Sequence, residues 1–386
     1  MNIFFERFFL IYIAFISVSF NIEWLYLFGS FAYADLALPL LIISLFKNQV
    51  FKFNSFQILL LFIFLLSLLS TYLSFFNYST PSSLGYLTRS LYFLILFTLI
   101  SSVQIEKERV VKAVCYGLLI SLISSWLIWS TNPRYFALTN IPMLHVLESP
   151  LNLYVNRNET GLASSILALI AFYSLIYKKI FSRNVSLIIF TFAIFSSIIS
   201  FSRGTWVVAI LGITLIMFLR FRLVSIFFVS FFLSSLLFLI PIEGVGLIDA
   251  FLLRLESDET NFYRYQYILD AFKIGLDNFF LGIGPGNYKE YAIQNGFLKT
   301  IDPHNTYMQS FAELGIFGLI FCISIYFFAV SKSFVNINKD SINVLLFTIF
   351  SCLAVDGLIS GLSLSMKILY ILAGVAFSER INAEKT

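Results

Sequence analysis

Apolar runs follow one another along almost the whole chain, separated by short polar connections. A membrane-crossing helix needs about 20 mostly apolar residues, and the runs predict about twelve such spans. They fall near 8–22, 26–46, 56–77, 84–104, 110–130, 158–177, 185–202, 204–219, 223–241, 304–330, 342–360 and 363–378. The run from Phe8 to Phe20 is like a signal sequence but has no small-residue cleavage site, which predicts a retained first span. Two connections are long, 131–157 and 242–303. The expected fold is all-α, a polytopic integral membrane protein with a single membrane domain over 1–386 and the 242–303 loop within it.

The long loop carries a helical pattern of its own from Asn261 to Phe280. Gln266, Asp270, Lys273 and Asp277 share one face, and Ile268, Leu269, Ala271, Phe272 and Phe279 cover the other. Such a helix is expected in the membrane interface, roofing a cavity between spans. Arg264 falls on its apolar side, where it either snorkels to headgroups or points into the cavity. The following Gly282-Ile283-Gly284-Pro285-Gly286 lacks the Lys-Ser/Thr of a P-loop and predicts a tight turn, with phosphate binding a weak alternative.

Basic residues sort the connections into two sets. One set carries Lys47 and Lys52, Lys107, Arg109 and Lys112, Lys178, Lys179 and Arg183, Arg220 and Arg222, Lys332 and Lys339, and Arg380 and Lys385, with Arg7 on the same side. The short connections near 22–25, 78–83 and 360–364 carry no Lys or Arg. Both termini are therefore expected in the cytoplasm, with the two long loops facing outward, away from cytosolic nucleotides.

Composition sharpens the class. Hydrophobic residues make up 59% of the chain and charged residues only 12%, against about 25% charged in a soluble domain. Aromatic residues reach 18%, which suits lipid-facing and interfacial positions. The +4 net charge is small, and nucleic acid is not an expected partner. Cys115, Cys322 and Cys352 lie in apolar runs as packing residues. No metal site and no cofactor are expected.

Candidate chemistry gathers where the long loop re-enters the membrane, at Pro303-His304-Asn305-Thr306-Tyr307. Asp302 is suited to cap a helix whose first residue is Pro303, which places His304 in the first turn. The positive helix end there disfavours imidazolium, so a neutral, proton-accepting histidine is expected. The alternative is a histidine that only caps a span. Arg203 interrupts an apolar stretch at the outer end of a helical hairpin. Arg157 precedes the sixth span as a loop charge, with Asn158 suited to cap that span. Glu313 lies on the opposite face of the His304 helix, where an interhelical hydrogen bond is expected, and Gly315 and Gly318 would let helices approach closely. Asp35, Arg89, Asp356 and Lys367 also lie in or beside spans, with ion pairing or headgroup contact the plain reading. His145 is incidental. A neutral histidine can deprotonate a hydroxyl, and two arginines can hold a diphosphate and stabilise its departure. That set suits metal-free transfer from a lipid diphosphate.

These residues resemble the O-antigen ligase and O-antigen polymerase superfamily of bacterial envelope glycan enzymes. The resemblance rests on His304-Asn305-x-Tyr307 with Glu313 and Gly315, on Ser202-Arg203-Gly204, on Arg264 followed by Leu281-Gly282-Ile283-Gly284, and on Asn156-Arg157-Asn158-Glu159. It covers roughly 150–330. It implies an inner-membrane glycosyltransferase whose active site faces the periplasm. The implied donor is a glycan on undecaprenyl diphosphate. The implied acceptor is lipid A–core for a ligase, or another lipid-linked glycan for a polymerase. Carried over, His304 is general base, Arg203 and Arg264 bind the donor diphosphate, and the displacement inverts the anomeric carbon. Asn305 and Tyr307 join the substrate site, with Glu313, Gly315 and Asn158 in support. A lipid-linked glycan transporter is the alternative from another class. Transporters place polar sites near the midplane on broken helices, often in repeated halves. Here the candidates lie at the outer interface and no internal repeat is visible.

Overall fold

Runs of leucine, isoleucine and phenylalanine without internal proline form helices because every backbone polar group is then satisfied within the segment, as a membrane requires. The computed structural model describes residues 3–18, 26–28, 31–32, 55–78, 82–102, 105–131, 157–200, 202–222, 258–297, 303–359 and 367–378. Its helices are α1 (Ile3–Val18), α2 (Ser55–Tyr78), α3 (Ser82–Ser102), α4 (Lys107–Thr131), α5 (Arg157–Tyr177), α6 (Arg183–Ile199), α7 (Arg203–Phe221), α8 (Asp258–Asp277), α9 (Tyr288–Gln294), α10 (Thr306–Val335), α11 (Ile342–Asp356) and α12 (Lys367–Phe377). Among the described residues, five helices are long and apolar enough to cross a membrane: Phe56–Leu73, Lys107–Leu127, Asn158–Tyr177, Gly204–Phe221 and Thr306–Val335. Ser90–Ser102, Arg183–Ile199, Ile342–Asp356 and Lys367–Phe377 are shorter apolar helices of the same bundle.

One expected boundary changes. Tyr26–Phe28 and Phe31–Ala32 pair as a small antiparallel hairpin, so no helix begins at residue 26. The remainder of the second span and the whole span near 223–241 lie outside the described residues. So do residues 132–156 of the 131–157 loop with His145, Asp35, Asp302, and the side chains of Arg89, Arg157, Arg203 and Arg264.

Neighbours in sequence pack as antiparallel pairs, α5 on α6 and α2 on α3, while α1 lies on α4, α12 on α3, and α11 on both α7 and α10. The core runs through Phe9, Phe56, Phe97, Tyr173 and Phe350, and Cys115, Cys322 and Cys352 are buried, free thiols within it. Large apolar side chains such as Ile58, Leu65, Ile188 and Phe327 remain exposed, as on a bundle surrounded by lipid.

One end of the bundle collects charge. Lys179 Nζ donates to Glu108 Oε1 at 2.6 Å and lies 3.7 Å from Asp340 Oδ1. Arg109 Nη1 reaches Glu6 Oε1 at 2.6 Å. Connections near residues 6, 108, 179 and 340 thus meet at one end, as the alternation of basic loops requires.

Candidate functional site

At the other end, the start of α10 is built against the finish of α11. The last carbonyls of a helix have no intrahelical donor. At the close of α11, Gly357 N–H takes the Leu353 carbonyl, Leu358 N–H the Val355 carbonyl, and Ile359 N–H the Asp356 carbonyl. The carbonyls of Ala354, Gly357 and Leu358 are served from α10 instead. Tyr307 Oη donates to Ala354 at 2.8 Å, Thr306 N–H to Gly357 at 2.8 Å, and Asn305 Nδ2 to Leu358 at 3.1 Å. Asn305 also caps α10, its Oδ1 accepting from Met308 N–H at 3.0 Å. One side chain therefore serves both helix ends.

This corrects the expected helix start. The cap is Asn305 and α10 begins at Thr306, so Pro303 and His304 precede the helix. His304 has φ 50°, in the left-handed region. Histidine adopts that region more readily than most residues, at a cost of about 1–2 kcal/mol. His304 is half-buried between buried Pro303 and buried Asn305. The fixed residues on its C-terminal side hold the unusual backbone in place.

The turn that closes α11 also touches the start of α7. Asp356 is buried, and its Oδ1 lies 3.2 Å from where a Cβ on Gly204 would stand. Its carboxylate therefore sits at the positive end of the helix that opens with Arg203. That helix start is fixed from behind by a hydroxyl seam. Ser165 Oγ donates to the Thr205 carbonyl at 2.8 Å and lies 3.0 Å from Ser197 Oγ. Thr205 Oγ1 donates to the Ser202 carbonyl at 2.8 Å, and Trp206 Nε1 to the Ser197 carbonyl at 2.9 Å. The expected break at Ser202-Arg203-Gly204 is a hairpin turn between α6 and α7. The sequence offered Asp356 only ion pairing or headgroup contact. Its value emerges only from the meeting of α7 and α11.

Helix α8 forms where the amphipathic pattern places it, but it runs alongside the opening turns of α10. Gly275 packs on Phe311, the Phe279 and Phe311 rings are 6.1 Å apart, and Ile316 N–H donates to the Phe279 carbonyl. The two helices are thus parallel, with residue 275 level with 311 and 279 level with 315. Extending that register places residue 270 level with Thr306, where α10 begins, and position 264 about 9 Å further along in the direction of the His304 turn, at 1.5 Å per residue. By helix periodicity position 264 is nearly in line with Ala271, which is buried with Ile274 and Ala312. Asp270, expected on the wet face, is buried and receives Gln266 Nε2 at 2.9 Å.

Two glycine readings change. Gly315 has φ 68° and ψ −160°, a break in α10, where close packing of straight helices was expected. The turn after α8 fills the break. Ile283 N–H donates to the Ala312 carbonyl at 3.0 Å and Gly284 N–H to the Glu313 carbonyl at 2.9 Å. Gly282 N–H donates to the Asn278 carbonyl at 2.9 Å, so the amides of these three residues are engaged by protein and form no phosphate cradle. Glu313 is buried and accepts from Gln309 Nε2 within its own helix at 3.2 Å. Asn158 lies in the first turn of α5, which opens at Arg157, and not at the cap. Lys367 is buried with Nζ 5.0 Å from the centre of the Tyr92 ring, on the helix that also carries Arg89.

The structure thus brings together the His304 turn, the Arg203 helix start and Asp356, with Arg264 on a helix strapped alongside. The class so defined is a predominantly helical membrane protein with a polar site at one end of its bundle. Residues 187–323 match the family model described as O-antigen ligase, which supports a likeness to the O-antigen ligase and polymerase superfamily. The match contains Arg203, Arg264, His304 and Gly315, and supports a ligase or polymerase type of function. No curated protein matches the chain.

Proposed function

We propose that this protein is a membrane glycosyltransferase of the O-antigen ligase type. It moves a glycan from undecaprenyl diphosphate to a hydroxyl of lipid A–core, on the periplasmic face of the bacterial inner membrane. In this reading His304 removes the proton from the acceptor hydroxyl. The acceptor oxygen bonds to the anomeric carbon from the face opposite the leaving group, and the bond from that carbon to the diphosphate oxygen breaks with inversion. Arg203 and Arg264 hold the diphosphate and stabilise the charge it carries away. Asn305 and Tyr307 fix the histidine turn at the substrate, and Asp356 steadies the helix start at Arg203. Glu313, Gly315 and Asn158 support the site from within α10 and α5. No metal takes part.

The observation that carries this reading is the meeting of the His304 turn with the Arg203 helix start across residues 356–358. The test uses protein purified in detergent, with chelator and without ATP, given undecaprenyl-diphosphate glycan and lipid A–core. Glycan on lipid A–core, absent with His304→Ala, is the expected result. A ladder of longer undecaprenyl-linked chains would make the protein a polymerase with the same residue roles. Transfer that survives His304→Ala with the acceptor unchanged would sink the general-base role.

A further inference from the structure

The turn from Phe279 to Gly284 joins α8 to α10 by backbone alone. Its amides at 283 and 284 take the carbonyls of Ala312 and Glu313, and its Phe279 carbonyl takes the amide of Ile316. Each of these α10 groups lies where the helix breaks and cannot pair within itself. Two glycines with positive φ make the fit possible. A Cβ on Gly282 would lie 2.3 Å from the Glu313 carbonyl carbon, and one on Gly315 would lie 2.5 Å from the Phe280 carbonyl carbon. Both obstacles are backbone, which cannot swing aside. Ser70 of α2 clasps the turn from outside, its Oγ donating to the Leu281 carbonyl at 3.1 Å. Sideways, Ala271, Ile274, Ile283 and Ala312 bury one small cluster between the two helices.

Apolar side chains alone leave parallel helices able to slide, whereas directional hydrogen bonds at a single break admit one register. The geometry points to this turn, through Gly282 and Gly315, as the positioning element that sets the axial register of Arg264 against His304. This rests on the reading of Arg264 as a diphosphate ligand. Gly282 and Gly315 touch no substrate; they act through Arg264.

Gly282→Ala is the test, with Gly296→Ala as control, because Gly296 shares the positive φ (+68°) but has nothing within 4 Å of its Cβ position. Ser70→Ala loosens the clasp without a steric clash and guards against a variant that fails to fold. Nitroxides at exposed Lys273 and Ile320 report the register in detergent without any activity. The expected result in Gly282→Ala is a shifted or broadened distance, donor KM raised about tenfold or more, and acceptor KM within about threefold. Ser70→Ala moves the same quantities less, and Gly296→Ala moves neither. In an Arg264→Ala background, Gly282→Ala adds less than about threefold, because the two act as one unit. General destabilisation would instead lower kcat at constant KM and multiply with Arg264→Ala. An unshifted distance, or an unchanged donor KM in Gly282→Ala where Arg264→Ala raises it, overturns the positioning role. An unchanged donor KM in Arg264→Ala overturns the reading of Arg264 and the role built on it, and the nitroxide distance then reports the clasp by itself.

Discussion

Asn305→Ala removes two bonds at once and isolates the hold on His304. The lost cap on Met308 N–H costs about 0.5–2 kcal/mol. Losing the donor to Leu358 leaves that carbonyl without the protein partner seen here, at about 1–3 kcal/mol if no water replaces it. Against this, the left-handed backbone of His304 releases about 1–2 kcal/mol when it relaxes. The restraint and the strain are of similar size; Leu358 is exposed, so the loss of that donor is taken at the lower end of about 1 kcal/mol, and the variant shifts the turn towards a relaxed state by about 1.5–3 kcal/mol. At 1.4 kcal/mol per decade, glycan transfer falls about 10- to 100-fold. The loss is local, because Thr306 N–H and Tyr307 Oη still bind α11. Thermal unfolding in detergent should therefore shift by only a few degrees. Asn305→Asp retains the capping oxygen but not the donor and falls between the two. The assay is glycan transfer per folded protein, read on a gel with labelled donor. Transfer by Asn305→Ala within twofold of the parent would refute the argument that His304 is held in its strained backbone by Asn305.

Three further outcomes are expected. Asp356→Asn removes a carboxylate from the start of α7, worth about 0.3–2 kcal/mol, so donor KM rises about 2- to 30-fold, and an unchanged KM separates Asp356 from Arg203. Gly315→Ala forces a Cβ into backbone at positive φ and costs about 2–4 kcal/mol, seen as a lowered unfolding midpoint; an unchanged midpoint contradicts the break. Lys179 has its pKa raised, chiefly by the hydrogen bond to Glu108. Its contribution is therefore fully present below the ordinary lysine pKa of about 10.4 and is lost as pH climbs through the raised value. The pair is partly exposed, so Lys179→Ala costs no more than about 0.5 kcal/mol near neutral pH, and a larger effect insensitive to salt would contradict this.

Hydropathy made most of the bundle legible, because an apolar run of span length has few options other than a helix. The start of α10 was misread for a physical reason. Asp302-Pro303 is the stronger local signal, but Asn305 serves a carbonyl 53 residues away as well as its own helix. Gly315 and Gly318 form a spacing that suits close helix packing, and nothing local reveals that Gly315 takes a positive φ to admit another segment. The turn at Gly282 was legible as a turn, while its partners, Ala312 and Glu313, are some thirty residues on. The amphipathic pattern of α8 was legible from 100° periodicity, and Ala271 on its apolar side is buried, while the side chain of Arg264 lies outside the described residues. The broken helix is also the feature the transporter alternative calls for. Its amide at 316 and carbonyls at 312 and 313 are taken by the inserted turn, so these groups do not line a path for an ion.

The break has a consequence for height. An unbroken helix of 30 residues would extend about 45 Å, well beyond the hydrocarbon thickness of about 30 Å. The portion after Gly315, Ile316–Val335, has 20 residues and a length of about 30 Å, which matches that thickness by itself. With that portion across the hydrocarbon, the nine residues from Thr306 to Leu314 would stand clear of it and lift the helix start no more than about 13 Å above its edge, with His304 two residues beyond. That is the zone of lipid headgroups and of the first sugar attached to one. The short upper segment of α10 acts as a ruler, and adding or deleting one residue in it would change the reach by about 1.5 Å and swing the histidine about 100° around the axis.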